Sequence, residues 1–240
     1  MIYTRPTLML LCGLFCLGVC VAPSAADSIS VAIAADLDDV EENLDNGSFD
    51  QPSSDLELGT EGPPVGRQSV GMRFLNIGIP NGATINSAHI QFMVDEDDDE
   101  VTNVRITGEL SPNSAPFELT PLNISSRTRT SNSVVWNNIP LWTNEGDSGP
   151  DQRTPDISSI VQEIIGQPGW VAGNVMTFII EPDPISYADG ERTAISFEKA
   201  SGNPNFNPPI LNVEFVPEPS SLVLAGLGFV GLLGLSRRKR

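Results

Sequence analysis

The stretch AHIQFMV at residues 88–94 decides the fold class, because apolar and polar side chains alternate along it. Successive side chains of an extended chain point to opposite faces, so Ile90, Phe92 and Val94 share one face. A period of two is typical of a β-strand that turns one face toward a core. We therefore predict a strand at this position.

Similar short stretches recur along the chain, with turn-forming residues between them. They lie at Ser69–Phe74, Val104–Thr107, Val175–Ile180, Thr193–Phe197 and Ile210–Phe215. Turns are predicted at Pro80–Gly82, Asp189–Gly190 and Ser201–Pro204, because glycine, proline and asparagine favour them. The pattern favours an all-β fold, a single antiparallel β-sandwich over residues 27–216.

One short helix is predicted within this body. Thr154 is placed to cap it, Pro155 suits its first turn, and Gly166 ends it. The apolar residues that follow the cap recur at helical spacing and share one face: Ile157, Ile160, Val161 and Ile164.

The N-terminal end has the pattern of a signal peptide. Arg5 precedes an apolar stretch, and small residues predict a signal-peptidase cut between Ala26 and Asp27. We expect a signal helix within residues 1–26; a lipoprotein signal at Cys20 is a less favoured alternative because Val19 is bulky. The three cysteines, Cys12, Cys16 and Cys20, all lie in this segment, so the mature chain has none for disulfides or thiolate metal sites.

The C-terminal end has three parts. A polar motif is followed by an uncharged apolar run and by four cations at Arg237, Arg238, Lys239 and Arg240. The run predicts a transmembrane helix over about residues 220–236, slightly short for a bilayer crossing. The cations fit a cytoplasmic end. A permanent anchor and a buried hairpin are the alternatives.

This tail, residues 217–240 with Val216 before it, resembles the PEP-CTERM sorting tail. The resemblance rests on Val216, Pro217, Glu218 and Pro219, then the span, then the cations. It implies a protein that is exported, anchored transiently in the inner membrane and cut by an exosortase near the motif. The product would then reach the cell surface or the extracellular matrix. Signal peptidase and exosortase are the processing partners that this implies.

The body resembles a β-sandwich domain of secreted bacterial proteins and, more loosely, the DNRLRE-type jelly-roll modules. The segments that carry the resemblance are residues 54–58, 70–74, 79–85, 90–96, 126–128, 135–136, 142–143 and 154–170. It implies a jelly-roll-like sandwich, and some relatives of those modules bind polysaccharide.

Charge limits the partners of the body. Residues 27–216 hold 30 of the 31 acidic residues and 8 of the 13 basic ones, a net charge of −22. This charge excludes nucleic acid as a partner and makes divalent cations the expected small ones. Four arginines are expected to pair with carboxylates on the sheet surface: Arg73, Arg105, Arg127 and Arg129.

Two acidic runs are candidates for a calcium site. Residues 95–100 are predicted to form the turn between two strands, and a second cluster lies at residues 36–42. Calcium takes six to eight oxygen ligands, so two loops would have to converge. The candidate ligands are Asp38, Asp39, Asp95 and Glu96. A solvated hairpin tip is the alternative, and no other cofactor is required.

Aromatic residues are the candidate sugar platforms. Trp142 lies in an irregular segment and is the best candidate for exposure, with Tyr187 in a similar loop. Trp136 and Trp170 are expected to fill the core.

Few residues are available for catalysis. His89, the only histidine, falls mid-strand, and the body has no cysteine and one lysine, Lys199, so nucleophile schemes have almost no residues to work with. We expect no enzyme but a binding or structural component of the exopolysaccharide matrix. Alternatives are a carbohydrate-binding module with calcium-dependent recognition and, less favoured, a carboxylate-based glycan-active enzyme.

Overall fold

The computed structural model describes residues 25–50, 53–63 and 66–218. The predicted signal helix and the predicted membrane span lie outside these ranges. Within them, no helix combines the length and apolar character that a bilayer crossing requires.

The described residues form mainly antiparallel β-structure with two short α-helices. The strands are β1 (Asp27–Ala32), β2 (Asp39–Asn43), β3 (Phe49–Asp50), β4 (Asp55–Glu57), β5 (Thr60–Glu61), β6 (Gly66–Phe74), β7 (Thr84–Gln91), β8 (Val104–Glu109), β9 (Arg129–Trp136), β10 (Met176–Pro182), β11 (Thr193–Ile195) and β12 (Ile210–Val216). The helices are α1 (Ser158–Ile165) and α2 (Phe197–Gly202), with a 3-10 turn at Pro150–Gln152.

The strands form two main sheets within the described ranges. The smaller one has the order β1-β12-β7, and the larger has the order β3-β2-β6-β10-β8-β9 with β5 added beside β6. A short third sheet pairs β11 with β4. All of these pairs are antiparallel.

One continuous apolar core joins the two main sheets. The predicted inward residues Val70, Met72 and Phe74 of β6 lie in it, as do Ile90 of β7 and Leu211 of β12. The predicted strands are confirmed at these positions, except that β7 ends at Gln91, so Phe92 and Val94 reach the core from beyond the strand. The other face of the smaller sheet remains for polar side chains, whereas the other face of the larger sheet carries a second, smaller apolar cluster formed by Val40, Phe117, Ile124 and Ile179.

Helix α1 exists as predicted but begins at Ser158, later than the predicted Thr154 cap. The residues before the helix bind strand β7 instead. The Ile90 N–H donates to the Thr154 hydroxyl at 3.0 Å, and the Ala88 N–H donates to the Asp156 carboxylate at 2.9 Å. These contacts cover the free edge of β7, which reduces unwanted strand pairing.

Two local predictions are wrong. The predicted turn at Ser201–Pro204 is partly the end of helix α2, whose capping residue Ser196 accepts a hydrogen bond from the Lys199 N–H. The predicted hairpin at residues 95–100 does not form, because β7 pairs with β12 while β8 pairs with β10 and β9. Residues 95–100 therefore connect two different sheets.

Helix α1 packs on β7, β8 and β9, and Gly108 of β8 makes its closest approach possible. A Cβ at Gly108 would lie 2.6 Å from Ile164 Cδ1 and 2.8 Å from Ile160 Cγ2. Such distances require the helix or its side chains to move.

We predict that Gly108→Ala lowers the free energy of unfolding by about 1–3 kcal/mol, because the added methyl group overpacks the contact with α1. Thermal or denaturant unfolding measures the change. Gly202→Ala is the matched control, since nothing lies within 4 Å of its added Cβ. Equal losses in both variants would contradict the packing argument.

Candidate functional site

Strand β2 has a sequence that suggests a solvated loop, Asp-Val-Glu-Glu-Asn, yet every residue of it is buried. It lies between β3 and β6 in the larger sheet. Burial of a carboxylate is costly unless hydrogen bonds or cations compensate for lost water. The partners of these acids therefore explain how the strand is tolerated.

Two of the acids around β2 have side-chain or backbone partners close by. Asp38 forms a buried ion pair with Arg73. Glu42 accepts hydrogen bonds from the Ile124 N–H at 2.7 Å and from the hydroxyl of Ser125. The predicted arginine pairing is confirmed here, although this pair is buried and does not lie on the sheet surface.

The other three predicted arginines also pair with carboxylates. Arg105 contacts Asp183, Arg127 contacts Glu109, and Arg129 contacts Glu181, each at 2.7 Å.

Asp39 and Glu41 point toward the short sheet and helix α2. Asp39 accepts a hydrogen bond from the Phe197 N–H at 2.8 Å, and burial raises its pKa to about 8. Glu41 accepts one from the Glu57 N–H at 2.5 Å. Burial raises the pKa of Glu41 well above its ordinary value, and the Glu57 carboxylate adds to the rise. Burial beside Glu57 therefore favours the protonated form of the Glu41 carboxyl.

The acidic connection at residues 95–100 is partly buried. Asp95 forms an ion pair with Lys199, and Asp98 accepts a hydrogen bond from the Thr193 N–H at 2.6 Å. Glu96, Asp97, Asp99 and Glu100 are exposed. The prediction of a fully solvated turn is wrong for Asp95 and Asp98, because both side chains bind groups on or beside β11.

The four predicted calcium ligands do not converge on one point. Asp38 binds Arg73, Asp39 faces the start of α2, Asp95 binds Lys199, and Glu96 is exposed. Among the described residues, no group of three or more histidine, cysteine, aspartate or glutamate side chains is arranged to hold a metal ion.

The predicted exposure of Trp142 is wrong, because its side chain is 0% exposed. The indole N–H donates to the Asp151 carbonyl at 3.2 Å, and the ring lies against Phe92 with 6.2 Å between centroids. It therefore offers no face to a sugar. Trp136 and Trp170 fill the core as predicted.

Tyr187 is 51% exposed and is accessible to a ligand, as expected. It lines an open cavity of about 560 Å³ together with Thr60, Arg67 and Asp189. Without Trp142 beside it, the predicted pair of aromatic platforms is not formed.

The outer face of the smaller sheet carries a larger depression, of about 670 Å³, which we call the polar groove. Its lining includes Ser28, Ser30, Ser87, His89, Gln91, Arg153, Asn212 and Glu214. The register places Ser30 opposite Asn212 and Asn212 opposite His89, so these three form one row across the sheet. Strand alternation produces this face, since Leu211 and Val213 between the polar residues turn toward the core.

Several polar side chains of the groove can still form hydrogen bonds to a ligand. Within the described residues, the side chains of Ser28, Ser30, Ser87 and His89 form no hydrogen bond to another residue. Burial lowers the pKa of His89, and the Arg153 charge adds to that effect. The imidazole is therefore neutral at pH 7 and has one donor and one acceptor nitrogen.

The two predicted processing positions lie at one end of this same sheet. Asp27, the residue after the predicted signal-peptidase cut at Ala26, is paired with Phe215 near the end of β12. The sorting motif begins at Val216, the last residue of β12, which is paired with Thr84. Pro219 and the predicted membrane stop at 237–240 lie outside the described residues.

Comparison with known proteins identifies the tail. Residues 215–240 match the family described as the PEP-CTERM protein-sorting motif. Proteins with this motif are exported and sorted to the cell surface, and the motif implies processing by exosortase. No curated protein matches the chain. The motif suggests an exported protein that exosortase processes, and it gives no role for the body.

The polar groove was missed at the sequence level, although a signal for it exists. The core-facing residues of β7 and β12 identified the strands, and the polar residues between them define the groove. Only the sheet order places Ser30, Asn212 and His89 in one row, because they come from distant parts of the chain.

Buried Asp39 predicts an unusual dependence of stability on pH. Its pKa is 3.8 when unfolded and about 8 when folded, so folding takes up a proton between these values. Its contribution is fully present below pH 3.8 and is lost as the pH rises from there to about 8, by about 1.4 kcal/mol per pH unit. Asp39→Asn should remove this part of the slope between pH 5 and 8 in chemical unfolding.

Asp45→Asn is the control for that measurement. Asp45 is exposed, and its hydrogen bond to Arg67 lowers its pKa, so it does not titrate between pH 5 and 8. A wild-type slope in Asp39→Asn would show that Asp39 is ionised in the folded protein.

Proposed function

We propose that this exported protein is a non-catalytic component of the cell surface or exopolysaccharide matrix that binds a neutral polysaccharide in the polar groove. The observation that supports the proposal is the row Ser30, Asn212 and His89, with unused hydrogen-bonding groups along it. Sugars present many hydroxyl groups, which such a row can pair with as donors and acceptors.

Charge favours a neutral ligand over an acidic one. The body carries a net charge of −22, which repels polyanions at a distance. Among the described residues that line the groove, Arg153 is the single cation and Glu214 offsets its charge, while burial favours the neutral form of His89. Hydrogen bonds to hydroxyl groups therefore supply the main attraction.

A non-catalytic role is supported by the surroundings of His89. Nucleophilic catalysis needs a base that is hydrogen-bonded to the nucleophile and oriented by a third group. Within the described residues, His89 makes no such hydrogen bond.

The finer architecture that we propose is a jelly-roll-like sandwich. Two antiparallel sheets that share one core are consistent with it. Transient anchoring in the inner membrane and release to the surface or matrix belong to the same proposal, since the sorting motif implies exosortase processing.

Binding is tested by isothermal titration calorimetry with the host's neutral matrix polysaccharide. Ser30→Ala/Asn212→Ala should weaken binding about tenfold or more, since each lost hydrogen bond costs about 1 kcal/mol. The matched control is Ser133→Ala/Asn137→Ala, the same residue types exposed outside the groove. Absence of binding by the wild type would favour a purely structural role.

The same titration in calcium and in chelator tests the prediction of calcium-dependent recognition. Equal affinity in both would contradict it. An affinity gain in calcium that magnesium does not reproduce would support it.

Processing gives a second test. We predict that surface molecules end near Val216–Pro219 and that replacing Pro217, Glu218 and Pro219 by alanine retains the full chain in the membrane. Intact mass of the surface and membrane fractions measures this. Surface molecules that still end at Arg240 would contradict it.

A further inference from the structure

The sorting motif begins inside the fold. Val216 is the last residue of β12, the middle strand of the smaller sheet, and is paired with Thr84. One residue earlier, Phe215 has partners on both sides, Asp27 of β1 and Ile85 of β7, and is 2% exposed. The backbone that leads into the motif is therefore occupied by its neighbours.

An enzyme that binds a peptide in extended form uses the hydrogen-bonding groups of the peptide backbone. In a middle strand these groups already bind the two flanking strands. In the folded sheet, the backbone groups of the residues before Pro217 are therefore not available to such an enzyme.

Glu218, the acid of the motif, also contacts the body. It lies against Gly82, where an added Cβ would be 2.5 Å from the Glu218 Cδ. Gly82 has φ +79°, a conformation that glycine adopts without strain. Glycine at this turn therefore permits both the backbone conformation and the close approach of Glu218.

The pairing of β12 with β7 is irregular near the end of β12. The register with β7 shifts between Glu214 and Phe215, a bulge or irregularity in the pairing. Such a shift interrupts the ladder with β7, so the last two pairs on that side are separated from the rest of it.

We infer that the folded body controls access to its own sorting motif: Phe215 and Val216 must separate from β1 and β7, and Glu218 from Gly82, before exosortase can bind. Gly82 is then a positioning residue for processing. The stability of this sheet end sets how much of the chain is open to the enzyme.

A disulfide across the last pair tests the opening step. Directly opposite residues of antiparallel strands have Cα atoms about 4.5–5.5 Å apart, within the range of a disulfide. The variant is Thr84→Cys/Val216→Cys in the full chain, in membranes that contain exosortase. Once the signal segment is removed, the two introduced thiols have no other cysteine to pair with.

The cut fraction is followed over time by intact mass, for the oxidised and the reduced form of the same variant. We expect the oxidised form to be cut about tenfold more slowly, and reduction to restore the rate. The reduced form carries the same substitutions, so it controls for any effect on recognition. Equal rates of the two forms would overturn the inference.

Gly82→Ala tests the contact with Glu218. Its control is Gly173→Ala. Gly173 also has a positive φ, +98°, but nothing lies within 4 Å of its added Cβ. We expect Gly82→Ala to be cut several-fold faster than Gly173→Ala, with thermal unfolding measured for both. Equal cutting rates would overturn the role assigned to Gly82.

Discussion

Strand β12 has to satisfy three requirements at once, and the rest of the structure depends on how it does so. Its inward residues Leu211, Val213 and Phe215 belong to the core. Its outward residues Asn212 and Glu214 line the polar groove. Because side chains of a strand alternate between two faces, the same seven residues can build both surfaces. The strand then runs directly into the sorting motif.

The pairing of β1 with β12 relates the fold to the two predicted processing positions. β1 begins at the predicted N-terminal processing position and β12 ends at the C-terminal one, and the two strands are neighbours. Pairing of β1 with β12 therefore brings the two predicted processing positions together. It also completes the polar groove, to which β1 contributes Ser28 and Ser30.

The large negative charge is handled by local chemistry at particular residues. Arg73 and Lys199 pair with Asp38 and Asp95, whereas backbone N–H groups bind Asp39 and Asp98. Where these partners do not offset burial, as at Asp39 and Glu41, the pKa of the carboxyl group rises, since a neutral acid costs less to bury than a charged one. The buried acids thus shape the stability of the body.

The sequence by itself determined the strands with alternating side chains, helix α1 and the tail, because their signals lie in adjacent residues: alternation at Val70–Phe74, helical spacing at Ile160–Ile164, and the motif at Val216–Pro219. Only the tertiary structure decided which strands become neighbours. That choice buried Trp142, turned the acidic run at residues 95–100 into a connection between sheets, and made a buried strand of Asp39–Asn43. The physical reason is that burial and hydrogen-bond partners come from residues far apart in the chain, which no local pattern records.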